Sequence, residues 1–242
     1  MSNYTNALQI DAQESTVYYN YSLDNKSEQQ KALESILREI CVVPQVIADI
    51  ACGGGGLSVH LARLYPQATF TMVDENPDAI SLARKATRNF NNTCVIGNIY
   101  NLALPSDSHD LVICWQTLSW LDKPEFALRE LVRICKPGGL ILASSLFNLN
   151  HDVDIYSKVI DHTRASSRLG IAYAYNTYSL CTVQGWLSGL VTSHRIHEFS
   201  IPVDLCHTER GLGTYTYKLE TGIRLQISAG MLLNWGVLEV HK

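Results

Sequence analysis

The chain has 242 residues, of which 46% are hydrophobic and 17% are charged. This length and composition provide a full hydrophobic core and predict one elaborated domain that folds alone. A net charge of −4 and a pI near 6 lack the basic character of nucleic-acid-binding proteins, so no nucleic-acid partner is expected.

Cysteine spacing and apolar runs exclude two further classes of protein. The seven cysteines are Cys41, Cys52, Cys94, Cys114, Cys135, Cys181 and Cys206. They form no CxxC pair and no cluster with histidine at zinc spacing, so no metal is expected. Residues 1–15 lack the regions of a signal peptide, and no apolar run reaches the roughly 18 residues of a membrane span. We expect a cytoplasmic protein with reduced thiols and no membrane partner.

The N-terminal part combines a polar segment with one helix. Residues 1–25 are polar and carry Tyr18, Tyr19 and Tyr21, which predicts an arm or lid outside the core. The sequence SEQQ, which starts at Ser27, is a capping box, and apolar residues recur after it at helical spacing. We predict an amphipathic helix over residues 28–40.

The next segment alternates strands with helices. VPQVIADIA predicts a first strand, followed by a glycine-rich loop and the helix LSVHLARLY, and ATFTMVDEN predicts a second strand. Asn76 and Pro77 supply an N-cap and a first-turn proline for the helix PDAISLARKATRNF. Two strand and helix units are therefore predicted in succession.

NTCVIGNI and HDLVICWQTL predict a third and a fourth strand, the latter continuously apolar, as in a strand covered on both faces. Asp122 and Glu125 are interpreted as the cap of the helix PEFALRELVRIC, which ends at the turn KPGG before the strand LILASSLF. The alternation predicts an α/β fold with a doubly wound, mainly parallel sheet.

Beyond residue 151 the pattern is less regular, and weak helical signals predict a cap over the carboxyl edge of the sheet. LCTVQGWLSGLV predicts a short helix, HRIHEFSIPVDL a strand, TYTYKLETGIRLQIS a hairpin turning at residues 220–222, and MLLNWGVLEV a last strand. We divide the single domain, 1–242, into an N-terminal arm and helix (1–40), a core (41–150), a cap insertion (151–190) and C-terminal strands with a hairpin (191–242).

The loop in ADIACGGGGLSVHLA fits two patterns. In a dinucleotide-binding pattern, Ala51, Gly53 and Gly56 take the glycine positions, and Asp74 takes the place of the ribose-binding acid. In a D-x-G-x-G-x-G pattern, Asp49 is the acidic residue, which belongs to the end of the first strand. A carboxylate about 4 Å from a pyrophosphate costs on the order of 1–4 kcal/mol. With a ligand that carries a cationic sulfonium and no phosphate, the interaction with the carboxylate becomes favourable. S-adenosylmethionine has that charge pattern.

The sequence resembles the class I S-adenosylmethionine-dependent methyltransferases within residues 45–146. The matching segments are VIADIACGGG, TMVDENP, GNIYNLALPSDSHDLVICWQTL and KPGGLILAS. The resemblance implies a seven-stranded Rossmann-like sheet in which NWGVLEVHK supplies an antiparallel seventh strand. It also implies S-adenosylmethionine as the cofactor and S-adenosylhomocysteine as the product.

The resemblance implies roles for residues at the ends of the first three strands. The residues expected to wrap the methionine part of the cofactor are Asp49, Ala51, Cys52, Gly53 and Gly55. Asp74 is expected to accept hydrogen bonds from both ribose hydroxyls, with its neighbour Glu75 pointing to solvent. Asn98 and Ile99 match the adenine positions, where many members carry an acid in place of Asn98.

Cys114, Trp115 and Gln116 match the positions at which the family contacts the methionine tail and the methyl acceptor. CWQT lacks the D/N-P-P-Y/F signature of amino methylation, and Cys114 lacks the preceding proline of a cytosine-methylating nucleophile. We expect the Cys114 side chain to be buried. For Trp115, a core role and a site role are both left open.

Tyrosines are the candidates for an acceptor pocket suited to a small amine or an aromatic metabolite. They are Tyr18, Tyr19 and Tyr21 in the arm and Tyr173, Tyr175 and Tyr178 in the insertion. Packing against the sheet is the alternative, and it is favoured for Tyr215 and Tyr217 in the hairpin. No histidine identifies itself as a catalytic base: His60 is expected to be a partly exposed helix residue, and His109 lies in a polar turn.

These patterns predict a methyltransferase that acts on nitrogen or oxygen of a small-molecule acceptor by holding it in line with the methyl group. A protein or RNA methyltransferase and a catalytically silent cofactor-binding scaffold are the alternatives. A homodimer is left open beside a monomer.

Overall fold

A computed structural model describes residues 19–41, 43–161, 171–205, 215–228 and 231–242. A helical turn over residues 19–24 precedes helix α1 (Glu28–Ile40). The predicted capping box is confirmed, since the Gln30 N–H donates to the Ser27 side chain and the Ser27 N–H donates to the Gln30 side chain. The helix buries Leu33 and Leu37 against the sheet.

The predicted alternation of strands and helices is confirmed. In chain order the elements are β1 (Val46–Ile50), α2 (Gly56–Leu64), β2 (Thr69–Asp74), α3 (Pro77–Ala86), β3 (Asn92–Ile96), β4 (His109–Cys114), α4 (Pro124–Ile134) and β5 (Cys135–Asn148). The Asn76 side chain caps α3 by accepting from the N–H groups of Asp78 and Ala79, as the Asn76–Pro77 pair predicts.

These strands form the parallel centre of a sheet in the order β5-β4-β1-β2-β3. Strand β12 (Met231–His241) runs antiparallel beside β5, and β9 (Ser193–Phe199) runs antiparallel to β12. The mainly parallel sheet with an antiparallel last strand is therefore confirmed, but the predicted number of seven strands is wrong, because further strands join this sheet and bring it to ten. The carboxyl ends of β1 to β4 meet at one edge because these strands are parallel.

Two apolar clusters cover the two faces of the sheet, because successive side chains of a strand point to opposite faces. Ala48 and Ile50 of β1 pack with Leu131 of α4 on one face, whereas Ile47 packs with Leu61 of α2 on the other. The continuously apolar strands thus lie between two helical layers, as expected for a parallel sheet.

The C-terminal hairpin consists of β10 (Tyr215–Lys218) and β11 (Arg224–Ser228), which pair antiparallel as predicted. Gly222 closes the turn with a left-handed φ of 87°, a conformation that glycine adopts at little cost. Strand β11 then pairs with the start of β12, so the hairpin extends the central sheet.

The weak helical signals between residues 151 and 179 are wrong for the described residues, whereas the short helix predicted at LCTVQGWLSGLV is confirmed. This part contains β6 (Lys158–Asp161) paired antiparallel with β7 (Ile171–Ala174), then the short strand β8 (Tyr178–Ser179) and helix α5 (Leu180–Leu187). Pairing between segments separated along the chain decides the strand conformation, and local helical patterns do not report it. Whether the segment functions as a cap stays a prediction.

The predicted cap of α4 is also wrong. The N-cap position is occupied by Lys123, which makes no side-chain capping hydrogen bond. The Asp122 carboxylate instead accepts from the Tyr100 hydroxyl at 2.6 Å, because the fold brings the loop after β3 to this helix start.

Among the helices of the described ranges, none combines the length and the apolar composition that a membrane-spanning helix needs.

We expect Ser27→Ala to lower the free energy of unfolding by about 1 kcal/mol, the usual cost of losing an N-cap side chain. Urea denaturation measures this loss. Ser35→Ala is the matched control, since Ser35 is exposed on the same helix. Equal losses in the two variants would contradict a stabilising role for the capping box.

Candidate functional site

The glycine loop lies directly after β1, at the carboxyl edge of the sheet. Its backbone turns through left-handed conformations at Ala51, Gly53 and Gly55, with φ of 61°, 53° and 82°. The Gly55 N–H donates to the Cys52 carbonyl, and helix α2 begins at the next residue. The loop therefore passes from strand to helix in a tight turn that exposes backbone at the edge.

Asp49 lies behind this loop and does not line the cavity in front of it. Its carboxylate is 1% exposed and accepts from the Ser58 hydroxyl at 2.7 Å. Burial is the main cause that raises the pKa of Asp49 to about 6, and the nearby Asp74 charge adds to it. Asp49 can act on a ligand through its charge, whereas direct contact would require the loop to move.

Asp74 joins the loop to the end of β2. One carboxylate oxygen accepts from the Gly53 N–H at 2.8 Å, and the other accepts from the Asn76 N–H at 2.9 Å. Burial raises the pKa of Asp74, and these backbone hydrogen bonds oppose the shift. Each oxygen has a second lone pair, so the carboxylate can hold the loop and still accept from a ligand.

One cavity opens at the edge where β1, β2, β3 and β4 end. The predicted site residues that line it are Tyr19, Ala51, Cys52, Gly53, Asp74, Glu75, Asn98, Ile99, Trp115 and Gln116. Further residues that sequence reasoning missed also line it, among them Ser22, Gln30, Tyr100, Trp120 and Asp122. The fold thus brings most of the predicted positions together on one surface.

Asn98 and Tyr100 form the side of the cavity after β3. The Asn98 side-chain oxygen accepts from the Tyr100 N–H at 2.8 Å, so the Asn98 amide nitrogen is the end left for a ligand. The Tyr100 hydroxyl donates to Asp122 and ties this loop to the loop after β4. Glu75 directly follows the end of β2, and its side chain is exposed, as expected.

The three predicted contact residues at the end of β4 differ in their surroundings. Cys114 is fully buried within the core, as expected. This burial raises the pKa of its thiol to about 12. Trp115 and Gln116 line the cavity. Gln116 adopts a left-handed φ of 54°, and its N–H donates to the Ser144 hydroxyl at 2.5 Å.

The N-terminal helical turn packs on the glycine loop. A Cβ atom on Gly53 would lie 2.8 Å from the Tyr19 ring, and one on Gly54 would lie 2.7 Å from the Tyr19 Cβ. The glycines therefore give Tyr19 its close approach. His60, expected to be partly exposed, is instead 1% exposed, with its Nε2 atom 3.1 Å from the Ser22 carbonyl. This turn covers the start of α2.

Of the predicted tyrosines that the structure describes, Tyr21, Tyr175, Tyr178 and Tyr217 are not among the residues that line the cavity. Tyr178 is completely buried and donates to the Leu118 carbonyl at 3.1 Å. Tyr175 packs against Trp120, a cavity residue, with ring centroids 4.5 Å apart. Tyr21 and Tyr217 are exposed. Tyr175 thus supports the cavity wall from behind, while Tyr178 is a core residue.

Tyr18, Tyr173 and His109 are the remaining predicted residues. Tyr18 lies outside the described residues, as does the Tyr173 side chain. His109, expected in a polar turn, is the first residue of β4 and is 3% exposed, with its ring near the Thr71 hydroxyl. No cluster of three metal-ligating side chains occurs among the residues that the structure describes.

Comparison with known proteins gives matches at several levels. Residues 48–143 match the family described as a methyltransferase domain. A malonyl-[acyl-carrier protein] O-methyltransferase from Hahella chejuensis is 31% identical over 121 residues, which are 50% of this chain and 43% of that protein. One of the same name from Halalkalibacterium halodurans is 27% identical over 188 residues, 72% of this chain and 68% of that protein.

Among solved structures, a SAM-dependent methyltransferase from Methanosarcina mazei has a TM-score of 0.55 at 17% identity, with 85% of this chain and 96% of that chain covered. The fold is therefore the Rossmann-like methyltransferase fold. The family match covers residues 48–143, and the sequence relatives are methyltransferases, so this part of the chain is similar to S-adenosylmethionine-dependent methyltransferases.

We expect the Asp49 carboxyl group to contribute a loss of stability to the free protein as pH rises from about 4 to about 6. Asp49 holds its proton more tightly in the folded state, with a pKa of about 6 against the ordinary 3.8, so unfolding releases a proton in this range. Asp49→Asn keeps an oxygen for Ser58 and does not ionise. It should be more stable than wild type by about 2–3 kcal/mol at about pH 7.5 and equally stable near pH 4.

Urea denaturation at the two pH values measures both differences. Asp152→Asn, which neutralises an exposed carboxylate, is the matched control and should show no such gain. A variant at Asp49 that gains nothing at the higher pH would show that this carboxylate is not destabilised by burial.

Proposed function

We propose that this chain transfers the methyl group of S-adenosylmethionine to nitrogen or oxygen of a small-molecule acceptor. The observation that carries the proposal is the arrangement of Asp74, which braces the glycine loop through Gly53 and also lines the cavity at the carboxyl edge of the sheet. In open α/β sheets, ligands bind at this edge.

The cavity residues fit the cofactor part by part. Asn98 and Ile99 would hold the adenine, and the spare lone pairs of Asp74 would accept from the ribose hydroxyls. The backbone of Gly53 and Gly54, which lines the cavity, would hold the methionine part, and a side chain at either position would strike Tyr19. The order of strand ends, β3, β2 and β1, matches the order of these three parts.

The charges around the loop favour a cation over a phosphate. Asp49 lies buried behind the loop, and Asp74 and Glu75 line the cavity in front of it. A cation near these carboxylates lowers the cost of ionising the buried Asp49, whereas a phosphate raises it. This supports a sulfonium cofactor and disfavours a dinucleotide.

When bound, S-adenosylmethionine supplies an electrophilic methyl group on a positively charged sulfur. The chain's own contribution would be to hold the acceptor lone pair in line with the methyl–sulfur bond, so that the new bond forms as the old one breaks. Trp115, Gln116 and Trp120 form the cavity wall beyond the loop and would position the acceptor. Tyr175 holds the Trp120 ring in place.

A small acceptor is supported by the relatives, which include malonyl-[acyl-carrier protein] O-methyltransferases and a fatty-acid O-methyltransferase. These names favour oxygen of a carboxyl group as one acceptor atom, and an amine nitrogen is the other candidate. A malonyl group carried on acyl-carrier protein would present a small reactive part to the same cavity.

We expect Asp74→Ala to bind S-adenosylhomocysteine about 10- to 100-fold more weakly, because hydrogen bonds to a charged group contribute roughly 1.5–3 kcal/mol. Asp74→Asn should be similarly impaired, since its NH₂ group would face a backbone N–H that now donates to the carboxylate. Isothermal titration calorimetry measures both affinities.

Asp78→Asn, which alters an exposed acid in the first turn of α3, is the control and should bind normally. Unchanged affinity in a folded Asp74 variant would reject the role of this carboxylate. Binding of NAD in place of S-adenosylmethionine would overturn the cofactor proposal.

The acceptor can be sought with methyl-labelled S-adenosylmethionine and a cellular metabolite extract. We expect label in one or a few small molecules, detected by mass spectrometry, and much less label when Asp74→Ala replaces the wild type at a cofactor concentration well below saturation. Label confined to protein or RNA would favour the macromolecular alternative, and cofactor binding without any labelled product would favour a silent scaffold.

A further inference from the structure

The loop after β4 contains a 3₁₀ turn, Leu118–Trp120, at whose end Trp120, Leu121 and Asp122 line the cavity. A 3₁₀ turn of this length has weak hydrogen-bond geometry of its own. The carbonyl groups at the end of a helical turn also lack partners within it. Residues from elsewhere in the chain must therefore fix the position of this turn.

Asn176, which lies between β7 and β8, supplies these partners. Its backbone N–H donates to the Ser119 carbonyl at 2.7 Å, and its side-chain nitrogen donates to the Leu121 carbonyl at 3.0 Å. The two acceptors belong to the residues on either side of Trp120. One residue therefore holds, at both ends, the backbone that carries the Trp120 side chain.

The amide group of Asn176 is buried and fully used. The residue is 3% exposed, its nitrogen also donates to the Tyr178 hydroxyl at 3.2 Å, and its oxygen accepts from the Ser157 N–H at 3.0 Å. The Tyr178 hydroxyl donates in turn to the Leu118 carbonyl at 3.1 Å. A buried polar network whose members all have partners specifies one arrangement.

The preceding residue, Tyr175, contacts the Trp120 ring itself, with ring centroids 4.5 Å apart. Ser157 fixes Tyr175, since the Ser157 hydroxyl donates to the Tyr175 carbonyl at 2.7 Å. Two consecutive residues thus hold the ring and the backbone of Trp120, and both are tied to Ser157 on a third segment.

We propose that Asn176 is a positioning residue that holds Trp120 against the methyl acceptor, so that residues 155–157 and 175–178 shape the acceptor side of the cavity. The inference rests on the proposed function, in which Trp120 positions the acceptor. Asn176 is not among the residues that line the cavity, so it acts through Trp120. A small misplacement of a positioning group lowers the rate of transfer, whereas the cofactor would bind at the ends of β1 to β3.

Asn176→Ala is the direct test, because it removes the donor to the Leu121 carbonyl and keeps the backbone N–H. With saturating methyl-labelled S-adenosylmethionine and the metabolite extract, we expect labelling of small molecules to be about tenfold slower or more. Affinity for S-adenosylhomocysteine, measured by calorimetry, should be unchanged. The indole resonance of Trp120 in ¹⁵N-tryptophan-labelled protein, identified by its loss in Trp120→Phe, should shift.

Asn148→Ala separates positioning from a loss of stability. Asn148 is 6% exposed, and its side-chain hydrogen bonds among the described residues stay within residues 148–153. This variant also loses a buried amide, so urea denaturation should show a loss of stability in both variants. It should keep the labelling rate and the Trp120 resonance of the wild type. Equal slowing of labelling in the two variants would overturn the proposal.

Tyr178→Phe tests the same network if Asn176→Ala does not fold. It keeps the buried ring and removes the hydroxyl that accepts from Asn176 and donates to the Leu118 carbonyl. We expect slower labelling and a shifted Trp120 resonance, both smaller than in Asn176→Ala. Tyr156→Phe, which removes the hydroxyl of a 62% exposed ring, should behave as the wild type does.

A wild-type labelling rate or an unmoved Trp120 resonance in the folded Asn176 variant, or in Tyr178→Phe where that variant does not fold, overturns the positioning role. If the wild type neither binds S-adenosylhomocysteine nor labels a small molecule, the proposed function fails. The Trp120 resonance then decides by itself whether Asn176 positions this side chain.

Discussion

The site depends on the Asp74 carboxylate, which connects two neighbouring strands at their carboxyl ends. It accepts from the Gly53 N–H in the loop after β1 and from the Asn76 N–H at the start of α3. Asp74 is 7% exposed, and these backbone donors partly offset the desolvation that raises its pKa. The loop shape, the start of α3 and the polar part of the cavity therefore all depend on one carboxyl side chain.

The rest of the cavity is assembled from elements far apart in the chain. Tyr19 lies over the glycine loop, Tyr100 reaches Asp122 across the gap between two loops, and Trp120 rests on Tyr175. Tyr19 and Tyr175 come from segments outside the parallel core, whereas Tyr100 and Asp122 join two strand-end loops. The walls consequently belong to loops and flanking segments, which in proteins of one fold are the parts that carry different functions.

Local chemistry explains which predictions from sequence were confirmed. The capping box at Ser27 and the Asn76–Pro77 helix start involve residues within one turn of each other, so neighbours in sequence suffice. The parallel strands follow from continuous apolar runs. Predictions failed where distant contacts decide: Asp122 bonds to Tyr100 instead of capping α4, and the segment after residue 151 pairs as strands.

The sequence by itself determined the alternation of strands and helices, the antiparallel last strand, the glycine loop with its two acids, and hence the resemblance to a family. These features are written in periodicity, capping and spacing, which act over a few residues. Only the tertiary structure decided that Asp49 is buried behind the loop, that Tyr178 belongs to the core, and that Asn176 binds the carbonyls beside Trp120. The physical reason is that burial and hydrogen bonding depend on a residue's neighbours in space, which the order of residues does not state.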